Sequence, residues 1–250
     1  MNTAIVAITR HGITLAGRLA AAMPQATLHA PEKFRPEAST ASQHLRCYDG
    51  KVGDQVGALF AGYEAIIFMV SLGAVVRLIA PHLRSKESDP AVLVIDEAGR
   101  FVIPLLSGHQ GGANLLAGQV ARRLEATAVL TTASDARATL AVDLLGRELG
   151  WHMAADHDTL VRCSAAMVNE EAFALVQEAG STDWWRNHAN GRSGSLPGNL
   201  HVLPNLSALA DRLDEYAAVL WISRRALPEE YARRLVGRWI HYCPPEEGGT

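Results

Sequence analysis

Short β-branched runs alternate with longer stretches of helical period from the first residues to position 150, and that alternation predicts βα units wound around a mainly parallel sheet. Residues 4–8 read as the first strand. Residues 12–23 follow as a helix, because Ile13, Ala16, Leu19, Ala20 and Met23 fall on one face before Pro24 breaks the pattern. Residues 31–52 are less regular, with 31–33 and 39–42 reading as a surface connection, after which Val56, Leu59, Phe60 and Tyr63 repeat at helical spacing. The continuous apolar run 65–70 suits a strand covered on both faces, and the chain then turns at Ser71, Leu72 and Gly73 into a helix. Residues 91–95 and 101–106 read as strands joined by the turn 96–99, a pair that need not be parallel. A helix over 113–124, a strand over 128–131 and a helix over 138–149, capped by Gly150, complete this part.

The texture changes beyond Trp151. Residues 160–167 are helix-like and 173–177 strand-like. Residues 183–199 are rich in Gly, Ser and Asn and read as a loop, 216–222 as the last strand, and 246–250 as a disordered tail. The fold expected is therefore α/β: a mainly parallel sheet flanked by helices in three Rossmann-like layers over 1–150, with a second, smaller α/β domain over 151–250. A chain of 250 residues, 48% hydrophobic and 20% charged, is long and apolar enough for such a pair of cores.

Composition narrows the partners. Asp and Glu number 26 against 23 Lys and Arg, and no stretch is densely basic, which argues against nucleic acid and anionic membrane. The apolar run 65–76 ends at Arg77, short of the roughly 20 residues a membrane span requires. Cys47, Cys163 and Cys243 are odd in number and far apart, so they form neither a disulfide framework nor a zinc-type pair, and a reducing, cytoplasmic location is expected. The first residues carry no basic region before their short apolar run and so do not read as a secretory signal.

Ser107, Gly108, His109, Gln110, Gly111, Gly112, Ala113 and Asn114 lie between an apolar strand and an amphipathic helix. Three glycines leave backbone N–H groups open at the helix start, where the helix dipole favours a carboxylate or phosphate. The spacing matches neither the dinucleotide fingerprint nor the phosphate loop that ends in Gly-Lys-Ser/Thr. His109 titrates near neutrality and reads either as a general acid–base beside oxyanion donors or as a hydrogen-bonding loop histidine. Ser107 has no nucleophile-elbow context, so capping or ligand hydrogen bonding is its more economical role.

If the sheet is parallel, the ends of other strands face the same edge. Ser71 and Gly73 close one of them; Thr131, Thr132 and Asp135 close another. Thr131 and Thr132 read as ligand-binding hydroxyls, and Asp135 as a helix cap or a substrate contact. Arg10, after the first strand, reads as a carboxylate clamp or as a solvated surface arginine. The histidines, His152 and His157 included, form no metal signature, so no protein-held metal is expected.

The ordered set Ser71-Leu72-Gly73-Ala74-Val75-Val76-Arg77-Leu78-Ile79-Ala80-Pro81, Asp89-Pro90-Ala91-Val92 through Phe101-Val102-Ile103, and Pro104-Leu105-Leu106-Ser107 through Asn114 resembles the cobalt-precorrin-5A hydrolase (CbiG) family in its N-terminal and central regions. Thr131 to Asp135 and, more weakly, Val168 to Glu171 and Leu220 to Arg224 extend the resemblance. It implies cobalamin biosynthesis: opening of the δ-lactone of cobalt-precorrin-5A, then loss of a two-carbon piece as acetaldehyde. The substrate would be a polycarboxylate tetrapyrrole that carries its own cobalt, with no protein-bound cofactor. His109 and Ser107 would then be catalytic. Gly108, Gly111, Gly112, Asn114, Ser71, Gly73, Thr131, Thr132, Asp135 and Arg10 would bind substrate, with the macrocycle entering between the domains. Members of the family commonly carry a further C-terminal domain related to the stand-alone protein CobE, and this chain stops near Pro244. The alternative is thus a non-catalytic subunit that binds a corrinoid precursor and needs a CobE-like partner.

Overall fold

The computed structural model describes residues 1–85, 88–108, 111–132, 139–185 and 195–246, and the chain divides into two compact units, Met1–Leu130 and Thr131–Thr250. The first unit runs β1 (Thr3–Ala7), α1 (Arg10–Ala22), β2 (Thr27–Pro31), α2 (Arg35–Ala41), β3 (Leu45–Tyr48), α3 (Val56–Gly62), β4 (Ala65–Met69), α4 (Leu72–Ile79), β5 (Ala91–Ile95), β6 (Phe101–Leu106), α5 (Ala113–Leu124) and β7 (Thr127–Ala128). Thr9 starts α1 by accepting from the Gly12 amide at 3.0 Å, and Pro24 prevents its continuation.

The seven strands lie in the order β3-β2-β1-β4-β5-β6-β7. β1 to β5 are parallel; β6 returns antiparallel beside β5, and β7 follows β6. Both faces of the sheet are covered, which explains the continuous apolar runs. Ile5, Ile67 and Leu93 point to one face, under Leu19 of α1 and Leu116 and Val120 of α5. Val6, Phe68 and Val94 point to the other, under Leu59 of α3 and Val75 and Ile79 of α4. Because α1 and α4 leave on opposite faces from the adjacent strands β1 and β4, the carboxyl ends of those two strands form a topological switch point.

The second unit contains β8 (His152–Ala154), α6 (His157–Val168), β9 (Phe173–Gln177), β10 (Leu200–Leu203), α7 (Ser207–Ala210), β11 (Ala218–Ile222), α8 (Glu229–Arg234) and β12 (Trp239–Cys243), with strand order β10-β9-β11-β12-β8. All its pairs are parallel except β12 with β8. Phe173, Leu220 and Tyr242 face Cys163 and Met167 of α6, while Val176 and Trp221 face Leu209, Leu213 and Leu235. The α/β class is therefore found in both units.

Several local expectations change. The stretch 31–52 is not a plain connection: it holds the end of β2, all of α2 and β3, whose short strands leave little period to read. Residues 138–149 do not form the expected helix over their described part; 142–146 are turns and Arg147–Leu149 a single 3-10 turn. Gly146 lies at φ 72° against the Trp151 ring, and Leu140, Val142 and Leu145 are buried in the second unit's core beside Trp151. The Tyr242 hydroxyl also donates to the Val142 carbonyl at 2.6 Å. This segment therefore belongs to the second unit, and the units part at Leu130/Thr131, earlier than the expected 150/151. β10 and β12 are additional strands, so 216–222 is not the last. The loop 183–199 and the tail 246–250 lie largely outside the described residues.

Candidate functional site

The glycine-rich turn after β6 is closely folded. Ser107 takes the left-handed conformation at φ 55°, which is costly for a residue with a Cβ, by about 1–3 kcal/mol. The Ser107 carbonyl accepts from the Ala113 amide at 3.1 Å and the Gly108 carbonyl from the Asn114 amide at 3.0 Å, so the turn closes on the first residues of α5. A Cβ at position 111 would stand 2.3 Å from the Ser107 Cβ and 2.8 Å from its carbonyl oxygen, and Gly112 sits at φ 79° as the helix N-cap; both positions require glycine. Asn114 lies over Gly108, where an added Cβ would meet its Oδ1 at 2.9 Å.

Ser107 does not cap α5 with its side chain. Its hydroxyl donates to the Asp89 carbonyl at 2.9 Å, which ties the turn to the segment entering β5. Two of the amides at the helix start, those of Ala113 and Asn114, are already engaged by loop carbonyls, which narrows the set of amides left to hold an anion. His109, expected at the centre of this loop, lies outside the described residues, as does Asp135.

The expected single crevice is not what the topology builds. Because β6 is antiparallel to β5, the loop of Ser107, Gly108, Gly111, Gly112 and Asn114 opens at the amino-terminal edge of the parallel strands, beside Asp89 and Met1. Arg10, Ser71 and Gly73 lie at the carboxyl-terminal edge, at the switch point. There Arg10 pairs with Glu37 at 3.2 Å, so it is not a free clamp, and Thr9 Oγ1 donates to Glu97 Oε1 at 2.6 Å. Ser71 precedes α4 without a side-chain cap bond, and the Gly73 carbonyl accepts from Arg77 Nη1 at 2.9 Å. Residues 71–73 are exposed. Thr131 and Thr132 open the second unit.

The second unit has polar chemistry at its own switch point, between β9 and β11, which sequence reasoning did not single out. Arg225 donates to both oxygens of Glu178, from Nε at 2.8 Å and Nη2 at 2.6 Å, and Ser223 Oγ donates to the same carboxylate at 3.1 Å. The Arg225 hydrogen bonds hold the Glu178 carboxyl below its ordinary range, against the opposing effect of partial burial. The sequence signal was a polar pair at each strand end, visible only once the strands are known to be neighbours. Among the described residues no group of three His, Cys, Asp or Glu is placed to hold a metal ion, and no helix is long and apolar enough to cross a membrane.

Two regions of one protein family occur here in order: residues 54–135 match the model described as cobalamin synthesis G N-terminal, and residues 140–244 match the cobalamin biosynthesis central region. The chain belongs to the CbiG family. A cobalt-precorrin-5A hydrolase of Priestia megaterium is 44% identical over 182 residues, covering 73% of this chain and 48% of its own. The hydrolase of Salmonella typhimurium (strain LT2) is 37% identical over 182 residues, covering 73% and 50%. The chain thus spans about half the length of the curated CbiG relatives it matches. Among solved structures, a cobalamin biosynthesis protein G homolog from Sulfolobus solfataricus aligns with 97% of this chain and 60% of its own at 18% identity, with a TM-score of 0.48.

Proposed function

We propose that this CbiG chain acts in cobalamin biosynthesis, in the cytoplasm, on cobalt-precorrin-5A: hydrolytic opening of its δ-lactone and release of acetaldehyde. The observation that carries the reading is the identity to two proteins named for that hydrolysis, which runs through both family regions. Lactone opening requires an activated water and donors for the tetrahedral oxyanion. His109 would take the water's proton, and the Gly111 and Gly112 amides with Asn114 would hold the developing charge. Carboxylates of the tetrapyrrole would be received at Ser71 and Gly73, with Thr131, Thr132 and Asp135 as further contacts. Cobalt would arrive with the substrate, and the chain would hold no cofactor of its own.

Turnover of cobalt-precorrin-5A with acetaldehyde detected, alone and with a CobE-like protein added, tests this directly. His109→Ala is expected to reduce turnover by about 10²–10⁴ while stability changes by no more than about 1 kcal/mol. Unchanged turnover in a folded variant would return His109 to an ordinary loop residue. A second reading, a corrinoid-precursor-binding subunit without catalysis of its own, is favoured by two observations: the Ser107 hydroxyl is turned onto a backbone carbonyl, and two amides at the start of α5 are engaged by loop carbonyls. Binding of the precursor without acetaldehyde, with the CobE-like protein present, would establish that reading instead.

A further inference from the structure

The outward face of α4 carries exposed apolar side chains close to one another. Its inner residues Val75 and Ile79 are buried under the sheet face they cover, yet Leu72 and Val76, one turn apart, are 40% and 45% exposed, and Leu83 beyond the helix is 46% exposed. Exposed apolar side chains scattered singly require no explanation, but adjacent ones on one helix face mark a surface that receives something. The charge pattern indicates what. No acidic residue occurs between Glu64 and Glu87, while Arg77 and Arg84 are both exposed within that stretch. The next acid, Asp89, has its carboxylate turned onto the Arg84 amide, at 3.1 Å from both oxygens.

Position adds a second argument. α4 begins at Ser71 on the carboxyl edge of the sheet and runs back across it. The segment after it reaches Arg84 and Asp89, and Asp89 is the residue whose carbonyl receives the Ser107 hydroxyl. The eight residues of α4 alone span about 12 Å. α4 and the segment after it therefore run from the carboxyl edge at Ser71 to the residue that receives Ser107, while α5, which the loop opens, packs on the opposite face of the sheet.

We propose that this face is the seat of the tetrapyrrole: one flat face of the macrocycle lies on Leu72, Val76 and Leu83, and its peripheral carboxylates reach Arg77 and Arg84. The proposal rests on the tetrapyrrole reading above. An apolar disc edged with anions matches an apolar strip edged with cations on a helix that carries no acid of its own, which neither a basic nor a purely apolar partner would match.

Uroporphyrin, an octacarboxylate tetrapyrrole, is the probe, titrated by its absorbance against the full chain. Val76→Asp and Arg77→Glu are each expected to weaken binding by about tenfold or more, and Val161→Asp, at a valine 49% exposed on α6, to leave it unchanged. All three positions are exposed, so the variants should remain folded, which circular dichroism checks. Equal binding by wild type, Val76→Asp and Arg77→Glu would overturn the placement and leave the hydrolase reading standing. Failure of the wild type to bind would also overturn it; the acetaldehyde assay, which uses no probe, would then judge the function separately. A shift of the unliganded protein from dimer to monomer in Val76→Asp would show that a second copy covers the face, and would likewise overturn the proposal.

Discussion

Replacing Gly111 with alanine tests how the loop is built. The new Cβ would lie 2.3 Å from the Ser107 Cβ, against at least 3.4 Å for ordinary contact, so the turn must open by about 1 Å. Ser107 cannot retreat easily. Its hydroxyl is held by the Asp89 carbonyl, its own carbonyl by the Ala113 amide, and its backbone already occupies the left-handed region. Neither obstructing atom is the far end of a flexible side chain. Overpacking of this kind costs about 1–3 kcal/mol, which for a chain of this size lowers the melting temperature by about 2–4 °C per kcal/mol. Scanning calorimetry at pH 7 measures it, with Gly62→Ala as control: that glycine ends α3 with nothing within 4 Å of an added Cβ, and its change should stay within about 1 kcal/mol. If Gly111→Ala melts with the wild type while Gly146→Ala, whose Cβ would strike the Trp151 ring, melts lower, the close packing of the loop on Ser107 is wrong.

Ser107→Ala should lower stability by about 1 kcal/mol through loss of the bond to Asp89, and reduce turnover less than tenfold; a loss of 10³ or more would show that the hydroxyl is a nucleophile after all. Glu178→Gln should melt below the wild type at pH 7, and the difference should vanish as the pH falls past the carboxyl range. The depressed folded-state pKa gives stability that is present above the ordinary pKa and lost as Glu178 is protonated in the fold. His29 is 2.9 Å from the Tyr63 hydroxyl, and burial, aided by Arg46, lowers its pKa from 6.5 to about 4. The unfolded chain therefore takes up a proton that the folded chain refuses, and stability is lost as pH falls from 6.5 toward 4. In His29→Gln, urea midpoints should fall less steeply over that window; an equal slope would place the acid sensitivity elsewhere.

The strongly periodic and fully buried elements were legible. The strand at Ala91–Ile95, buried throughout, and the helix at Ala113–Leu124, with its periodic buried face, fall where their apolar patterns place them; the strand at Phe101–Leu106 does so as well, although only Val102 of it is fully buried. The failures have a common cause in partners distant along the chain. Residues 139–145 carry helix-compatible apolar spacing, yet Trp151 and Tyr242 claim them for another core, and a single chain segment cannot announce which core it will join. The pair Glu178 and Arg225 was invisible for the same reason, since only the adjacency of β9 and β11 brings the two together.

The largest consequence comes from one strand direction. The residues at 107–114 are legible as a glycine-rich turn in any reading, but the edge on which they open depends on whether β6 runs with β5 or against it. The short turn after β5 decides this, because a parallel crossover needs a dozen or more residues and 96–100 cannot supply them. The loop is thereby moved to the edge opposite Ser71 and Arg10, and residues that looked like one crevice become two. Any ligand that uses both groups must then be large enough to reach across a face of the sheet rather than sit in a slot at its end. The reversal of β6 thus bears on the reach required of a ligand as much as any single side chain does.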